Sequence, residues 1–240
     1  MGEPVPRPRL IVASLPGPGE RIRLAGEEAA HARARRLEEG SAVVLIDGSG
    51  REAAARVVRM GRRGCELRVE SLEDSATDAA PPLHLLVAAI RAERLGWLGE
   101  KAAELGAARL TVVASERTQA FRARDGMLAR LQRIVRESAK QAAASRFTAV
   151  DGPLALADAL AAASGTRLLL DPGGAPFPDR LPAAPVSILV GPEGGLTDAE
   201  RSAAVAAGWR AVALPAGVVR AETAAIAAIV LARAALLRKP

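Results

Sequence analysis

Residues 187–207 read SILV-GPEGGL-TDAERSAAVAA. A short, largely apolar run is followed by the loop Gly191–Leu196 and then by Thr197 with Glu200 three positions on. Thr-x-x-Glu is a capping box, in which each side chain takes up a backbone N–H that the first helical turn leaves free, so a helix starts here. Three glycines in five residues give the loop backbone torsions other residues avoid and let the main chain approach a neighbour closely. Pro192 stiffens it. The stretch is therefore strand, glycine loop, helix. On the residues alone, the loop is either a tight turn with no ligand or a wall of a binding site.

The same rhythm extends outward. Leu83–Ile90 is almost continuously apolar, as in a strand buried on both faces. Glu93–Leu105 has helical spacing and is closed by Gly106, a plausible C-cap. Leu110–Ala114 reads as a strand and Met127–Ser145 as a long helix. Arg167–Leu170 and Ala211–Leu214 are further strands, and Glu222–Leu237 a last helix. Strands alternating with helices predict a mostly parallel α/β sheet covered on both sides. In such sheets ligands bind beyond the carboxyl ends of the strands. That rule selects Asp171–Gly174 (DPGG), Gly191–Gly195 and Pro215–Gly217 (PAG).

The first third has a different texture. Ser41–Asp47, Ala54–Arg59 and Cys65–Glu70 are short strands separated by Gly48-Ser49-Gly50 and by Gly61-Arg62-Arg63-Gly64, with one helix, Glu27–Glu39, ahead of them. This pattern predicts a small β-barrel. Ser71–Pro82 is polar, acidic and ends in two prolines, so a domain boundary is expected there, with domains at 1–75 and 82–240.

Composition narrows the chemistry. The aromatic share is 2%, with no Tyr, so the cores are built from Ala, Val, Leu and Ile, and a row of base-stacking aromatics is not expected. The net charge is +6, and of 33 basic residues only Lys101, Lys140 and Lys239 are lysines. The arginines reflect either genomic bias or an anionic partner that their planar fork suits. One cysteine, Cys65, and two histidines, His31 and His84, leave no disulfide and too few ligands for a zinc site, so no metal is expected. The start, MGEPVPRPRL, has no hydrophobic signal core. The apolar stretch Ala224–Leu237 is interrupted by Arg233 and shorter than the ~20 residues a membrane span needs. A cytoplasmic protein without a membrane partner is expected. Neither G-x-G-x-x-G after an early strand, nor a Walker A lysine, nor a G-x-S-x-G elbow is present, which weakens dinucleotide-dependent, kinase and hydrolase readings.

Gly191–Leu196, with Leu214–Ala224 (LPAGVVRAETA) some twenty residues later, resembles the RsmE family, the 16S rRNA uridine-N3 methyltransferases of the SPOUT class. Lys101–Gly106 (KAAELG), Ser115–Thr118 (SERT) and Glu137–Gln141 (ESAKQ) are similar to further family elements in the same order. So are His31 through Gly40 and Asp47–Gly50. The resemblance spans nearly the whole chain. It implies a PUA-like RNA-binding β-barrel followed by a SPOUT α/β domain with a C-terminal trefoil knot. It also implies S-adenosylmethionine held largely by backbone at Leu170, Val190, Gly191, Pro192, Gly194, Gly195, Leu214, Gly217, Val218, Val219 and Thr223. The implied substrate is one uridine in the decoding region of the small ribosomal subunit, and the implied assembly a homodimer. Two departures stand out. Pro215 and Gly217 replace a glycine and an arginine of the family's last motif, and Gln141–Ala144 replaces Q-S-G-R, with Arg146 near a second basic position.

Uridine N3 is protonated at neutral pH and must lose that proton to become a nucleophile. Arg220 is the candidate for stabilising the resulting anion, with a surface phosphate clamp as its alternative role. Glu193 and Glu222 are candidates for orienting Arg220 or accepting the proton. Glu222 is equally a helix N-terminal charge favoured by the dipole. Arg33, Arg35, Arg36, Arg62, Arg63 and Arg146 are candidate RNA-backbone contacts or solvated charges. Two other functions fit the same surfaces: a SPOUT enzyme acting on another base, and a ribosome-assembly protein without catalysis.

Overall fold

The computed structural model describes residues 7–61, 64–75, 80–118, 126–142 and 144–238. The chain forms two compact units, Met1–Ala79 together with Ala139–Phe147, and Ala80–Ser138 together with Thr148–Pro240.

The first unit contains β1 (Arg9–Ile11), β2 (Arg21–Leu24), α1 (Gly26–Ala34), β3 (Ala42–Ile46), β4 (Arg51–Gly61) and β5 (Gly64–Asp74). Its sheet has the order β1-β3-β4-β5-β2. β1 runs parallel to β3, and the other pairs are antiparallel. Register shifts at Ala54/Ala55 and Val57/Arg59 bend the long β4–β5 hairpin, because an extra residue on one strand sharpens its twist. Leu10, Val43, Leu45, Ala53, Val57, Leu67 and Val69 form the core of this unit, and α1 packs against β1 and β5. Cys65 lies in this core, and burial pushes its thiol up, away from the reactive thiolate.

Three boundaries differ from the sequence reading. Ser71–Asp74, expected to be linker, continues β5 opposite Ala54–Arg51, with Leu72 packed on the core. The first helix, expected through Glu39, stops at Ala34: Arg36 adopts φ 53° and the Leu37 N–H reaches back to the Ala32 carbonyl. Buried Leu37 draws the chain inward there, so a left-handed residue ends the helix without the usual glycine. The helix expected through Ser145 ends at Gln141. Beyond it, buried Ser145 bonds Glu52 and accepts a 2.8 Å bond from Arg9, which pairs with Glu52 at 2.9 Å. These polar partners hold Ala139–Phe147 in the first unit. The Asp47–Gly50 turn joins β3 to β4 as expected, with Asp47 accepting from the Ser49 N–H.

The second unit runs β6 (Leu83–Ala88), α2 (Ala92–Glu104), β7 (Arg109–Ala114), α3 (Met127–Gln141, within this unit to Ser138), β8 (Ala149–Ala155), α4 (Leu156–Ala162), β9 (Thr166–Pro176), β10 (Val186–Val190), α5 (Asp198–Ala206), β11 (Arg210–Ala213) and α6 (Ala221–Leu237). The sheet order is β11-β9-β10-β6-β7-β8, with every neighbouring pair parallel. β8 and α4 are additions to the sequence reading. One core lies under α2, α3 and α6, centred on Leu85, Val87, Leu98, Leu131, Ile188 and Ile229. The other lies under α4 and α5, with Leu86, Leu160, Leu189, Ala204 and Trp209. All five residues of β10 are buried, each aliphatic side chain contributing ~1.5–3 kcal/mol by leaving water. The central strand is thus fixed, and so is the point from which the glycine loop departs. Among the described residues no helix is long and apolar enough to cross a membrane.

Candidate active site

The carboxyl ends of β9, β10 and β11 meet around a cavity of about 530 Å³. Its first wall is an excursion of β9. Opposite β11 the register passes from Leu169 to Ala175 while β11 advances only from Ala211 to Val212, so Leu170–Gly174 is pushed out of the ladder. Gly174 permits the return: a Cβ there would stand 2.5 Å from the Val212 nitrogen. Asp171 shapes the excursion by accepting the Gly173 N–H at 2.8 Å.

The second wall is Gly191–Leu196. It turns tightly, with the Gly195 N–H bonded to the Pro192 carbonyl at 2.8 Å and Gly195 at φ 68°. The expected capping box is present, since Thr197 Oγ1 accepts from the Glu200 N–H and Glu200 Oε2 from the Thr197 N–H. Glu200 Oε1 also accepts the Glu116 N–H at 2.8 Å, and Arg117 donates to the Gly194 carbonyl at 2.6 Å. The segment after β7 thereby straps the loop from outside.

The third wall is Leu214–Val219 leading into α6. Val218 is 89% exposed and Val219 38%, yet both line the cavity. Apolar side chains left in water at a cavity lip gain by covering an apolar ligand. Arg220 is the N-cap residue of α6; its carbonyl accepts the Ala224 N–H, and its side chain is exposed with no ion pair among the described residues.

Of the expected cofactor residues, Leu170, Val190, Gly191, Pro192, Gly194, Gly195, Leu214, Gly217, Val218 and Val219 line this one cavity, and Glu193 lines it too. Thr223 is exposed on α6 and is not among the lining residues. Arg220 and Glu222 are not among the lining residues either; Glu222 is buried, and its Oε2 has no hydrogen-bond partner among the described residues. Its Oε1 lies 3.5 Å from Arg94 Nε, while Arg94 Nη1 reaches Glu193 Oε1 at 3.0 Å. Two of the three candidate catalytic side chains are therefore gathered by an arginine that the sequence reading passed over. Arg33, Arg35 and Arg36 are exposed at the end of α1, and Arg146 is exposed beside Gly48 and Ser49. Arg62 and Arg63 lie outside the described residues.

Arg94, Arg117, Asp171 and Arg201 are the functional candidates that sequence reasoning missed as individual residues. The strand-end rule applied equally to Leu83–Ile90 would have led to Arg94, in the first turn of the helix that follows. It was silent on Arg94's partners, because strand neighbours are not written in the sequence. Arg201 lines the cavity and faces Asp171 Oδ2 at 3.4 Å.

Known proteins are similar to this chain. The family model for an RNA methyltransferase domain matches residues 78–233, and that for an RNA methyltransferase PUA domain matches residues 24–70. The ribosomal RNA small subunit methyltransferase E of Mycobacterium bovis is 32% identical over 231 residues, covering 91% of this chain and 88% of that protein. The Synechocystis protein of the same name is 28% identical over 206 residues, covering 82% of this chain and 67% of its own. The crystal structure of ribosomal RNA small subunit methyltransferase E from Neisseria gonorrhoeae, bound to S-adenosyl methionine, superposes with a TM-score of 0.85 at 27% identity. It covers 93% of this chain and 95% of that one.

Proposed function

Because the chain belongs to the ribosomal RNA small subunit methyltransferase E family, we propose that it transfers a methyl group from S-adenosylmethionine to N3 of one uridine in the decoding region of 16S rRNA. The observation that carries this reading is the cavity enclosed by three glycine-rich strand-end loops. About 530 Å³ is within the range of small-molecule cofactor sites. At the return of the Leu170–Gly174 wall the absence of a Cβ on residue 174 lets β9 approach β11 closely, and backbone groups and aliphatic side chains dominate the lining, a donor set suited to an adenosine and a thioether stem. When bound, the cofactor supplies an electrophilic methyl group on a sulfonium.

The chain's own residues then have separable tasks. Leu170, Val190 and Leu214 enclose apolar surface, while the loop backbones offer N–H and C=O groups to polar edges. Val218 and Val219 cover the mouth and exclude water. Arg220, a permanent and exposed cation that follows the lining residue Val219, stabilises the uracil anion left when N3 gives up its proton. Glu222 presents a buried carboxylate with one unsatisfied oxygen, suited to accept a proton or a donor brought by the substrate. Glu193 orients the constellation from the opposite wall.

The same reading takes residues 1–75 as the RNA-binding domain and 82–240 as the catalytic one. Arg33, Arg35, Arg36, Arg62, Arg63 and Arg146 bind phosphates, so affinity weakens steeply with salt. It takes the catalytic domain as trefoil-knotted, which is supported by β10 entering between β9 and β6 late in the chain. Its site of action is the small subunit in the cytoplasm. A homodimer is supported by Val230 and Leu237, exposed on α6 at 48% and 77%; sedimentation as a monomer at micromolar concentration overturns that part. The decisive experiment is mass spectrometry of 16S rRNA from a deletion strain. Loss of a single N3-methyluridine, restored by the wild-type gene, is expected. An unchanged methylation pattern refutes the proposal.

A further inference from the structure

Glu193 lines the wall formed by the loop after β10, and Glu222 is buried in the first turn of α6 behind another wall, more than twenty positions away in sequence. Neither wall has a covalent reason to stay in register with the other. What joins them is Arg94 in the first turn of α2, which follows β6, the other neighbour of β10 in the sheet. Its Nη1 is 3.0 Å from Glu193 Oε1 and its Nε 3.5 Å from Glu222 Oε1. The Arg94 side chain is 27% exposed and that of Glu222 8%, against 50% for Glu193. The Glu222 end of this bridge is thus shielded from water and the Glu193 end is half open.

A carboxylate as buried as Glu222 needs a counter-charge to remain in place. Arg94 is the one cation paired with it among the described residues, and it leaves Glu222 Oε2 without a partner. A guanidinium can serve two acids at once because its donors are spread on a rigid plane; an ammonium at the same point offers one compact charge on a flexible stem.

We infer that Arg94 is a positioning residue for the methyl transfer: it clamps the Gly191–Leu196 loop to the start of α6 through Glu193 and Glu222, and so sets the place of Glu222. Arg94 itself touches neither cofactor nor uracil. The inference rests on the function proposed above. Its consequence is specific, because removing Arg94 releases both acids together, whereas removing either acid leaves the other held.

The test uses the full-length enzyme with Arg94→Ala, Arg94→Lys, Glu222→Gln and the Arg94→Ala/Glu222→Gln double variant. Melting temperature, the dissociation constant for S-adenosylmethionine, and kcat and KM on rRNA are measured for each. Arg94→Ala is expected to lower kcat about 100-fold, the scale of an ångström misplacement in an active site. KM for RNA should stay within about threefold, since no phosphate contact is lost. Arg94→Lys, which keeps the charge and guards against a folding failure, should recover less than about tenfold. The double variant should be no slower than Arg94→Ala alone, because the two side chains act as one unit. A kcat within about threefold of wild type in Arg94→Ala overturns the inference, as does full recovery by lysine or multiplicative losses in the double variant. If the wild-type enzyme methylates no rRNA, it is the functional reading that has failed. The same cycle in the cofactor dissociation constant then decides: non-additive losses support the clamp, additive ones refute it.

Discussion

Replacing Gly174 by alanine adds one methyl group at the place where the Leu170–Gly174 excursion rejoins β9. Gly174 is not among the glycines with positive φ, so the substitution carries no torsional penalty and acts by volume alone. The new Cβ would stand 2.5 Å from the Val212 nitrogen, 2.6 Å from the Ala211 carbonyl carbon and 2.8 Å from its oxygen. All three are backbone atoms, so no rotamer change relieves the contact. Ordinary contact begins near 3.4 Å, and β9 and β11 must therefore part by about 1 Å. β11 is the edge strand of the sheet and can yield, which puts the cost in the usual overpacking range of about 1–3 kcal/mol. For a protein of this size that is a fall in melting temperature of roughly 2–12 °C.

The same displacement moves Val212, Ala213 and Leu214, which line the cavity, away from any ligand. A gap of 0.5–1 Å forfeits about a quarter to a half of each dispersion contact. The affinity for S-adenosylmethionine should fall by roughly tenfold or more, about 1.4 kcal/mol. Gly17→Ala, in the first unit, is the control, because Gly17 does not line the cavity, its φ is not positive, and a Cβ there meets only the Glu20 side chain at an ordinary 3.7 Å. Differential scanning calorimetry gives the first quantity and isothermal titration the second. Equal melting and equal cofactor affinity in Gly174→Ala and wild type would refute the steric reasoning. Equal losses in Gly174→Ala and Gly17→Ala would refute its localisation to the β9–β11 contact.

Two further outcomes follow from the structure. Arg220→Ala, at an exposed position with no ion pair among the described residues, should fold and bind cofactor like wild type while kcat falls about 10²–10³-fold; an unchanged kcat at saturating RNA removes Arg220 from the chemistry. His84 is pushed down to about 4, first by burial and then by Arg109 nearby, against an upward pull from Asp151. Its neutral ring bonds Thr111 at 2.8 Å. Between pH 6.5 and 4 the unfolded chain binds a proton there that the native state refuses, so the stabilisation is complete above about 6.5 and is lost as pH falls towards 4. With its partial exposure the loss is about 1–2 kcal/mol. His84→Gln should flatten thermal unfolding curves over that window, and an unaltered pH dependence in the variant would assign the slope elsewhere.

The alternating strands and helices of the second unit were legible because buried parallel strands are almost uninterrupted aliphatic runs. Where that signal is diluted the reading failed. β8 contains Gly152-Pro153, a turn signature, yet Gly152 is there because a Cβ would fall 2.3 Å from the Val112 carbonyl oxygen. α4 is only seven residues of Ala, Leu and Asp, too short for a period to emerge. β1 and β2 have three and four residues, and in both strands arginine alternates with or flanks the apolar positions. α1 is stopped by a left-handed Arg36 rather than by a glycine, so nothing local announced the stop. The loops of the cavity were legible from the strand-end rule. The partnership of Arg94 with Glu193 and Glu222 was not, since it depends on β10 lying between β9 and β6, an order fixed by packing of the whole sheet.

That order also bears on the choice left open by the glycines of Gly191–Leu196. A tight turn with no ligand requires glycine only where the torsion or a close neighbour demands it. Gly195, at φ 68°, meets the first condition; Gly191, whose Cβ would meet Leu196 at 3.4 Å, stands at the near edge of ordinary contact. Gly194 meets neither: its φ is not positive, and a Cβ there would reach Arg117 only at an ordinary 3.6 Å. The turn alone does not explain why residue 194 lacks a side chain. A ligand lying against the loop does, because Gly194 lines the cavity while Arg117 fixes its carbonyl from outside, and any side chain would occupy the space between wall and ligand. The same loop is strapped by Arg117, braced by Glu116 through Glu200, and tied by Arg94 through Glu193. A connection whose only task was to reverse the chain would not need anchoring from the segments after two other strands. Rigid placement of a bare backbone surface is what close recognition of a bound molecule requires, and this favours the binding-wall reading over the simple turn.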